Sequence, residues 1–432
     1  MRQLFVLTSA LFIFGPQSVF SQTLTDPNLV VENVITAGGT ANQPTAIAFL
    51  GSNDILVTEK ATGRVRRIYN GTLSTTNALD LNVANNSERG LLGMALDPLF
   101  PTNPHVYLYY SRAASDGGTM LSNRISRFTW DGSTLSSELT LLDMPFVSGD
   151  GPNHDGGIIL FGPPTASPAN QKLYAIVGDL NRNNQTENYS GGAAPDDTAC
   201  VLRINPNGTT PSGAEKGPFF DVAGANASLQ RMYAYGIRNS FGMDFDPVSG
   251  ALWDTENGPG NPNTYDEVNR VDAAFNSGWE NQMGPTGFPG VTQSGGAAGK
   301  ITFGAIGTYS EPEFSWREAV APTGIHFLRS TNLGVAYQHD CFVCSNNSPS
   351  KIYRFDVNGA RTGFVLAGTL ADTVFDSGSD SDTAVVFGSG FSVPTDIETG
   401  PDGNLYLCSL GSGRVLRIRS IVAAVDDWQL FD

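Results

Sequence analysis

The sequence predicts an all-β chain closed into a six-bladed β-propeller of four-stranded antiparallel blades, and three features predict it: a sixfold repeat, turn chemistry between the repeated runs, and the lack of any clear helical stretch. In each repeat a short apolar run with a Tyr, Trp or Phe in or beside it is followed by a run of the form apolar-x-Arg-apolar. The copies are Ile55-Leu-Val-Thr58 with Arg64-Val-Arg-Arg-Ile68, Val106-Tyr-Leu-Tyr109 with Arg124-Ile-Ser-Arg-Phe128, and Leu173-Tyr-Ala-Ile176 with Val201-Leu-Arg-Ile204. They continue as Ala251-Leu-Trp253 with Glu267-Val-Asn-Arg-Val271, Cys341-Phe-Val-Cys344 with Lys351-Ile-Tyr-Arg-Phe355, and Leu405-Tyr-Leu-Cys408 with Arg414-Val-Leu-Arg-Ile418. Self-similarity at long, irregular periods is what propeller blades leave in a sequence.

Each run reads as a strand because it is rich in β-branched and aromatic residues and bounded by turn residues. Runs apolar on both parities suit sheets packed between two neighbours. Before several pairs stands a further strand opened by a small or polar residue, as in Gly93-Met-Ala-Leu-Asp-Pro98, Gly242-Met-Asp-Phe-Asp-Pro247 and Thr395-Asp-Ile-Glu398. Hairpin tips are expected at Tyr69-Asn-Gly-Thr72, Trp130-Asp-Gly-Ser133, Asn205-Pro-Asn-Gly208 and Pro401-Asp-Gly-Asn404, where positive or preset φ is needed. The repeat recurs roughly every 70 residues, against roughly 40–50 for compact propeller repeats, so long loops join the strands and carry the function.

The chain is read as a leader, 1–21, and one propeller domain, 22–432. Arg2, the apolar run Leu4 to Phe14 and the stretch ending Val19-Phe-Ser21 follow the order of a secretory signal, and the run is too short to span a bilayer. A secreted or periplasmic protein without membrane insertion is therefore expected. The net charge of −17, from 25 Lys and Arg against 42 Asp and Glu, argues against nucleic acid or an anionic membrane as partner, since both demand a basic footprint. Four cysteines, Cys200, Cys341, Cys344 and Cys408, are read as buried thiols or a structural disulfide. Cys341 and Cys344 lie three apart in a strand and face opposite ways, which disfavours a metal or redox motif.

Among the four histidines, His154 has the most telling surroundings: Asp150-Gly-Pro-Asn-His154-Asp-Gly-Gly157, a glycine-rich turn leading into Ile158-Ile-Leu-Phe161. A His at the mouth of an inner strand can take a proton from a bound alcohol near neutral pH; the alternative is a loop His capping a turn. In Tyr235-Gly-Ile-Arg-Asn239, Arg238 offers a planar fork for a carboxylate or quinone oxygen and Asn239 a neutral donor; the alternative is an Arg paired to a nearby Asp. Glu256-Asn-Gly-Pro-Gly260 and Tyr265-Asp-Glu-Val-Asn269 supply hard oxygen ligands of the kind calcium prefers, or are solvated turns.

The segments Glu88-Arg-Gly-Leu-Leu-Gly-Met-Ala-Leu-Asp-Pro98, Asn153-His-Asp-Gly-Gly157, Leu173-Tyr-Ala-Ile-Val-Gly-Asp179, Tyr235-Gly-Ile-Arg-Asn239, Glu256-Asn-Gly-Pro259, Asp266-Glu267 and Asn276-Ser-Gly-Trp279 occur in that order. Together they resemble the glucose/sorbosone dehydrogenase family, the soluble sugar and aldose dehydrogenases that use pyrroloquinoline quinone. The resemblance implies that His154 is the base removing the sugar hydroxyl proton, with Arg238 beside it at the reacting centre. It implies that Arg238 and Asn239 touch the cofactor, and that a calcium is held by the carbonyls of Gly258 and Pro259 with Asp266 nearby. It further implies a structural calcium at Glu267 and Ser277, and substrate contacts at Asp155 and Trp316; for Trp316 the equal alternative is a place in the core. The implied partners are a small sugar and an electron acceptor the sequence does not name.

The chain departs from the family pattern where cations are expected against the cofactor's carboxylates: Val393 and Thr395 stand at two arginine positions, and Cys344-Ser-Asn-Asn-Ser-Pro-Ser350 carries no basic residue. Three readings follow. They are a quinoprotein oxidising the anomeric hydroxyl of an aldose to a lactone, a calcium-stabilised propeller binding a glycan or protein without turnover, and a calcium-dependent lactone hydrolase.

Overall fold

The computed structural model describes residues 22–260, 265–288 and 299–421. The expected leader, 1–21, lies outside the described residues. The chain is an all-β propeller, and among the described residues its one α-helix is the single turn and a half Ala227–Arg231. No helix there is long and apolar enough to cross a membrane.

The described strands form six sheets. Their inner strands are Pro44–Gly51, Leu91–Leu96, Ile159–Gly162, Gly242–Phe245, Pro322–Phe327 and Pro394–Thr399. Each touches the next in that order, and Pro394–Thr399 returns to Pro44–Gly51, so the ring closes. All twelve runs of the repeat are the middle strands of these sheets, as in Asp54–Glu59 with Arg64–Tyr69 and Leu405–Ser409 with Arg414–Ser420. The last sheet is completed from the other end of the chain: Leu29–Asn33 pairs antiparallel with Arg414–Ser420, Leu29 opposite Ser420 and Asn33 opposite Leu416.

Uniform four-stranded antiparallel blades are not what forms. Two sheets have four strands, and the others carry extra ones. Phe275–Asn276 runs parallel to both Met232–Tyr235 and Thr308–Tyr309, and Val374–Phe375 runs parallel to Phe314–Trp316. An outer edge strand exposes unpaired N–H and C=O groups, and the long excursions between repeats satisfy them by laying down a further strand.

Both signature residues of the repeat have a structural cause. In three of the six copies the Arg of the third strand reaches back to a carboxylate at or just before the start of the second: Arg67 to Asp54 at 2.6 and 2.5 Å, Arg354 to Asp340 at 2.5 Å, Arg417 to Asp402 at 3.3 Å. The aromatic of the second strand packs edge-on against a Phe near the end of the next sheet's inner strand, a geometry that favours the ring quadrupole. The pairs are Tyr107 with Phe161 at 4.9 Å, Tyr174 with Phe245 at 5.1 Å, Trp253 with Phe327 at 5.7 Å and Tyr406 with Phe49 at 5.0 Å. The Asn70-Gly71 tip has φ of 48° and 76°, the two positive values that a tight hairpin turn demands.

The four cysteines are buried free thiols, and burial pushes each thiol up. Cys341 and Cys344 pack into different apolar clusters, as their spacing predicts.

Candidate active site

The loops entering the inner strands deliver the candidate residues to one mouth of the ring: Glu88 ahead of Leu91–Leu96, His154 ahead of Ile159–Gly162, and Arg238 and Asn239 ahead of Gly242–Phe245. His154 has a φ of 66°, a left-handed conformation rare outside glycine and typical of a constrained site. The following strand end passes close behind it. A Cβ on Gly178 would lie 2.3 Å from the His154 carbonyl oxygen and 2.8 Å from that of Arg238, so only glycine lets these three backbones meet.

One oxygen of Asp179, Oδ1, lies 2.7 Å from His154 Nδ1 and accepts the Asn181 amide at 2.9 Å; the other, Oδ2, accepts the Trp279 indole N–H at 2.7 Å. The bonds from Asn181 and Trp279 are donated to this carboxylate, and a carboxylate oxygen facing Nδ1 can only accept, so in the neutral ring Nδ1 carries the proton and Nε2 is the acceptor. Glu88 ties the base to the second cluster. Its Oε2 accepts the His154 amide at 2.6 Å and Asn239 Nδ2 at 3.2 Å.

Arg238 donates through Nη1 to the carbonyls of Asn257 at 2.7 Å and Gly258 at 3.0 Å, and its guanidinium carbon lies 5.3 Å from the centre of the Trp279 ring. Its Nε is buried with no partner. Burial draws the guanidinium's affinity for its proton down, while the carboxylates of Asp179, Glu88, Asp266 and Glu256 oppose that.

The Gly258-Pro259 turn is braced by Asp266, whose Oδ1 accepts the Gly258 amide at 2.8 Å and whose Oδ2 accepts Val320 and Ala321 amides at 2.7 and 2.8 Å. Burial still raises its carboxyl to about 6. Next to it the register sets Glu256 opposite Glu267 and Asp254 opposite Asn269 on adjacent strands. Glu256 accepts the Ser277 hydroxyl, and Glu267 accepts the Gly284 amide. Burial, and then their mutual repulsion, holds Glu267 well above the usual carboxylate range; burial raises Glu256 to about 7. Among the described residues no three carboxylate, imidazole or thiol groups converge as an all-side-chain metal cage. Of the carbonyl oxygens expected to hold calcium, at Gly258, Pro259 and Ser277, that of Gly258 accepts Arg238 Nη1 in this structure.

Two expected substrate contacts are corrected. Trp316 is 0% exposed, enclosed by Phe314 and Tyr353 with ring centroids 5.0 Å from each, so it has no face to offer a sugar. Asp155, also 0% exposed, points behind the site, where Oδ1 accepts Asn123 Nδ2 at 3.0 Å and Oδ2 has no partner; burial raises its carboxyl to about 7. Both positions precede or sit within apolar strands, and burial, not proximity to His154, decided where they face. Glu88, Asp179 and Trp279 bind the site together and stand in the resembling segments, yet residue chemistry alone did not single them out. The signal for Asp179 was its place at the end of the strand beside the His154 loop.

Where the resemblance expects arginines the chain has Val393 and Thr395. Val393 has a φ of 59°, and its amide donates to the Ser350 hydroxyl oxygen at 3.2 Å. Thr395 is buried and bonds the Pro44 carbonyl at 3.0 Å. Lys351, the one nearby base in sequence, is ion-paired with Asp382.

The sequence profile of the Glucose / Sorbosone dehydrogenase family matches residues 41–417. The chain is 27% identical over 384 residues to the aldose sugar dehydrogenase YliI of Escherichia coli (strain K12), covering 87% of this chain and 90% of that protein. It is 29% identical over 264 residues to quinoprotein glucose dehydrogenase B of Acinetobacter calcoaceticus, covering 56% and 51%. The fold is shared with the soluble aldose sugar dehydrogenase of Escherichia coli in its apo-form, at a TM-score of 0.66, 22% identity and coverage of 91% and 99%. It is shared also with the PQQ-bound form of aldose sugar dehydrogenase from Streptomyces coelicolor, at a TM-score of 0.62, 22% identity and coverage of 90% and 98%. With the profile spanning nearly all of the propeller, the chain belongs to the glucose/sorbosone dehydrogenase family.

Proposed function

We propose that this chain is an exported, calcium-dependent quinoprotein that oxidises the anomeric hydroxyl of an aldose to a lactone, built as six blades, one for each sheet. The observation that carries the reading is the His154–Asp179 pair at 2.7 Å beside the buried Arg238. In this reading the imidazole acceptor, Nε2, takes the hydroxyl proton as the C1 hydrogen departs with its electron pair. Asp179 fixes the tautomer and stabilises the imidazolium that forms. Arg238, with an unpartnered Nε, and Asn239 are suited to a ligand's oxygens, and the carbonyls of Gly258 and Pro259 to calcium. When bound, pyrroloquinoline quinone supplies the two-electron acceptor and calcium the Lewis acid that polarises it. A second reading, a propeller that binds a sugar without turnover, is favoured by the uncharged Val393 and Thr395.

The test is reconstitution of the calcium-loaded protein with pyrroloquinoline quinone and dye reduction over a panel of aldoses. Turnover is expected, and His154→Ala and Asp179→Asn each lower kcat by roughly 10²–10⁴-fold. Failure of the quinone to bind at about millimolar concentration removes the dehydrogenase reading and leaves the binding one.

A further inference from the structure

The indole of Trp279 lies between the two halves of the site. Its N–H donates to Asp179 Oδ2 at 2.7 Å, and its ring lies 5.3 Å from the carbon of the Arg238 guanidinium. The backbone beneath it is pinned: the Trp279 amide donates to Gly236 O at 3.1 Å, and its carbonyl accepts Asn188 Nδ2 at 2.8 Å. Asn188 is itself held by a reciprocal pair of 2.8 Å bonds with Asn276, and adopts a left-handed φ of 59° to make them. A side chain so anchored is a fixed point against which softer groups are aligned.

Asp179 needs such a point. The terminal torsion of an aspartate is broad and nearly two-fold, so its oxygens exchange places unless each has its own donor. Two opposite partners compete for this carboxylate: His154, bonded to Oδ1, and Arg238, whose charge it feels. With Oδ2 occupied by the indole N–H, and with the guanidinium held on the indole face and turned to the carbonyls of Asn257 and Gly258, Oδ1 stays with His154. Without the indole, Oδ2 is a buried acceptor lacking its partner beside a cation, and the carboxylate swings toward Arg238.

We propose that Trp279 is a positioning residue for the base, using its N–H to lock Asp179 onto His154 and its ring to keep Arg238 from taking that carboxylate. The inference rests on the dehydrogenase reading only for its consequence in turnover; the geometry it describes belongs to the protein without cofactor. Two variants separate the two tasks of the indole. Trp279→Phe keeps an aromatic face under Arg238 and deletes the donor, whereas Trp279→Leu deletes both.

The first measurement uses the cofactor-free full chain, which has four histidines, with nitrogen-labelled imidazoles. The Nδ1 proton of His154, bonded to a carboxylate, is expected as a low-field resonance that disappears in His154→Gln and Asp179→Asn. It is expected to broaden or vanish in Trp279→Phe at a melting temperature near that of the parent. The second measurement is turnover after reconstitution: Trp279→Phe should lose kcat by about 10²-fold, the usual cost of a misplaced reacting group, with KM for the aldose within about threefold. Trp279→Leu should in addition weaken quinone binding. An unchanged Nδ1 resonance in folded Trp279→Phe overturns the proposal, as does a loss confined to KM. If the parent protein never turns over, yet the resonance is present and is lost in Trp279→Phe, the positioning role stands and the dehydrogenase reading falls.

Discussion

The carboxylate of Asp266 is committed to the backbone of Gly258: Oδ1 accepts its amide at 2.8 Å, while Oδ2 holds the amides of Val320 and Ala321. Asp266 thus supports the expected calcium turn from behind, whatever metal contact it makes besides. Replacing it with Ala leaves three half-buried amides without this acceptor, at up to roughly 1–3 kcal/mol each before water and relaxation compensate. The Asp266→Ala protein is expected to melt well below the parent and to lose most of the rise in melting temperature that calcium gives the parent by mass action. Thermal melts with calcium and with chelator check both points. A parent protein indifferent to calcium and chelator removes the metal site.

Burial sets a pH dependence through Asp155. Its carboxyl, ordinarily near 3.8, is raised to about 7 by desolvation, against the opposing Asn123 bond and Arg89 charge. The folded chain therefore holds a proton that the unfolded chain has released between these two values. The resulting stability is fully present below about pH 4 and is lost as pH rises through about 7, a change on the order of 4 kcal/mol. Asp155→Asn, which keeps an oxygen for Asn123 and cannot ionise, should flatten that slope. Denaturant titrations of both proteins at about pH 4.5, 6 and 8 read it directly; parallel slopes would refute the assignment.

Trp316 is a core residue, and its replacement should act on stability alone. Trp316→Ala empties a space between Phe314, Tyr353 and Phe355 and is expected to cost about 3–5 kcal/mol. In the milder Trp316→Phe, KM for the preferred aldose should stay within about twofold of the parent, since the ring reaches no substrate. A large rise in KM with stability unchanged is the contrary result.

Val393 offers a gain of function. It stands at the mouth in a left-handed conformation that a β-branched side chain tolerates poorly. Val393→Arg removes the branching and adds a guanidinium where the family resemblance expects one. Quinone affinity, measured by equilibrium titration of the calcium-loaded protein, should tighten by about 10–100-fold, the worth of one charge-assisted bond. No change in affinity would mean that the cofactor's acidic groups do not lie there.

Much of the fold was legible because the same two contacts recur. An Arg that returns to an Asp one strand back, and an aromatic that meets the next sheet, leave a mark in every copy where they occur. The repeat also shows where it breaks: at the end of Pro394–Thr399 the aromatic is replaced by Thr399, whose hydroxyl lies 2.7 Å from His326 Nε2. What was not legible depended on long-range partners. Nothing around Trp279 in sequence announces that its indole meets Asp179, 100 residues away. Trp316 reads equally well as a sugar platform or as core, because a strand aromatic shows its parity in sequence and not the sheet that covers it. The extra parallel strands were missed because two-residue pairings carry no period to detect.

The pairing of Leu29–Asn33 with Arg414–Ser420 has a consequence for how the molecule comes into being. Glu32 and Arg417, which bond across that seam, are separated by 385 residues. Arg417 is made 385 residues after Glu32, so the circle stays open until Arg414–Ser420 has been synthesised. Contacts of such separation close late and slowly, because the entropy of the intervening chain has to be surrendered first. Completion of the ring is in this sense a checkpoint on the whole polypeptide: a product that stops short of residue 414 has every other sheet in hand and still lacks the clasp.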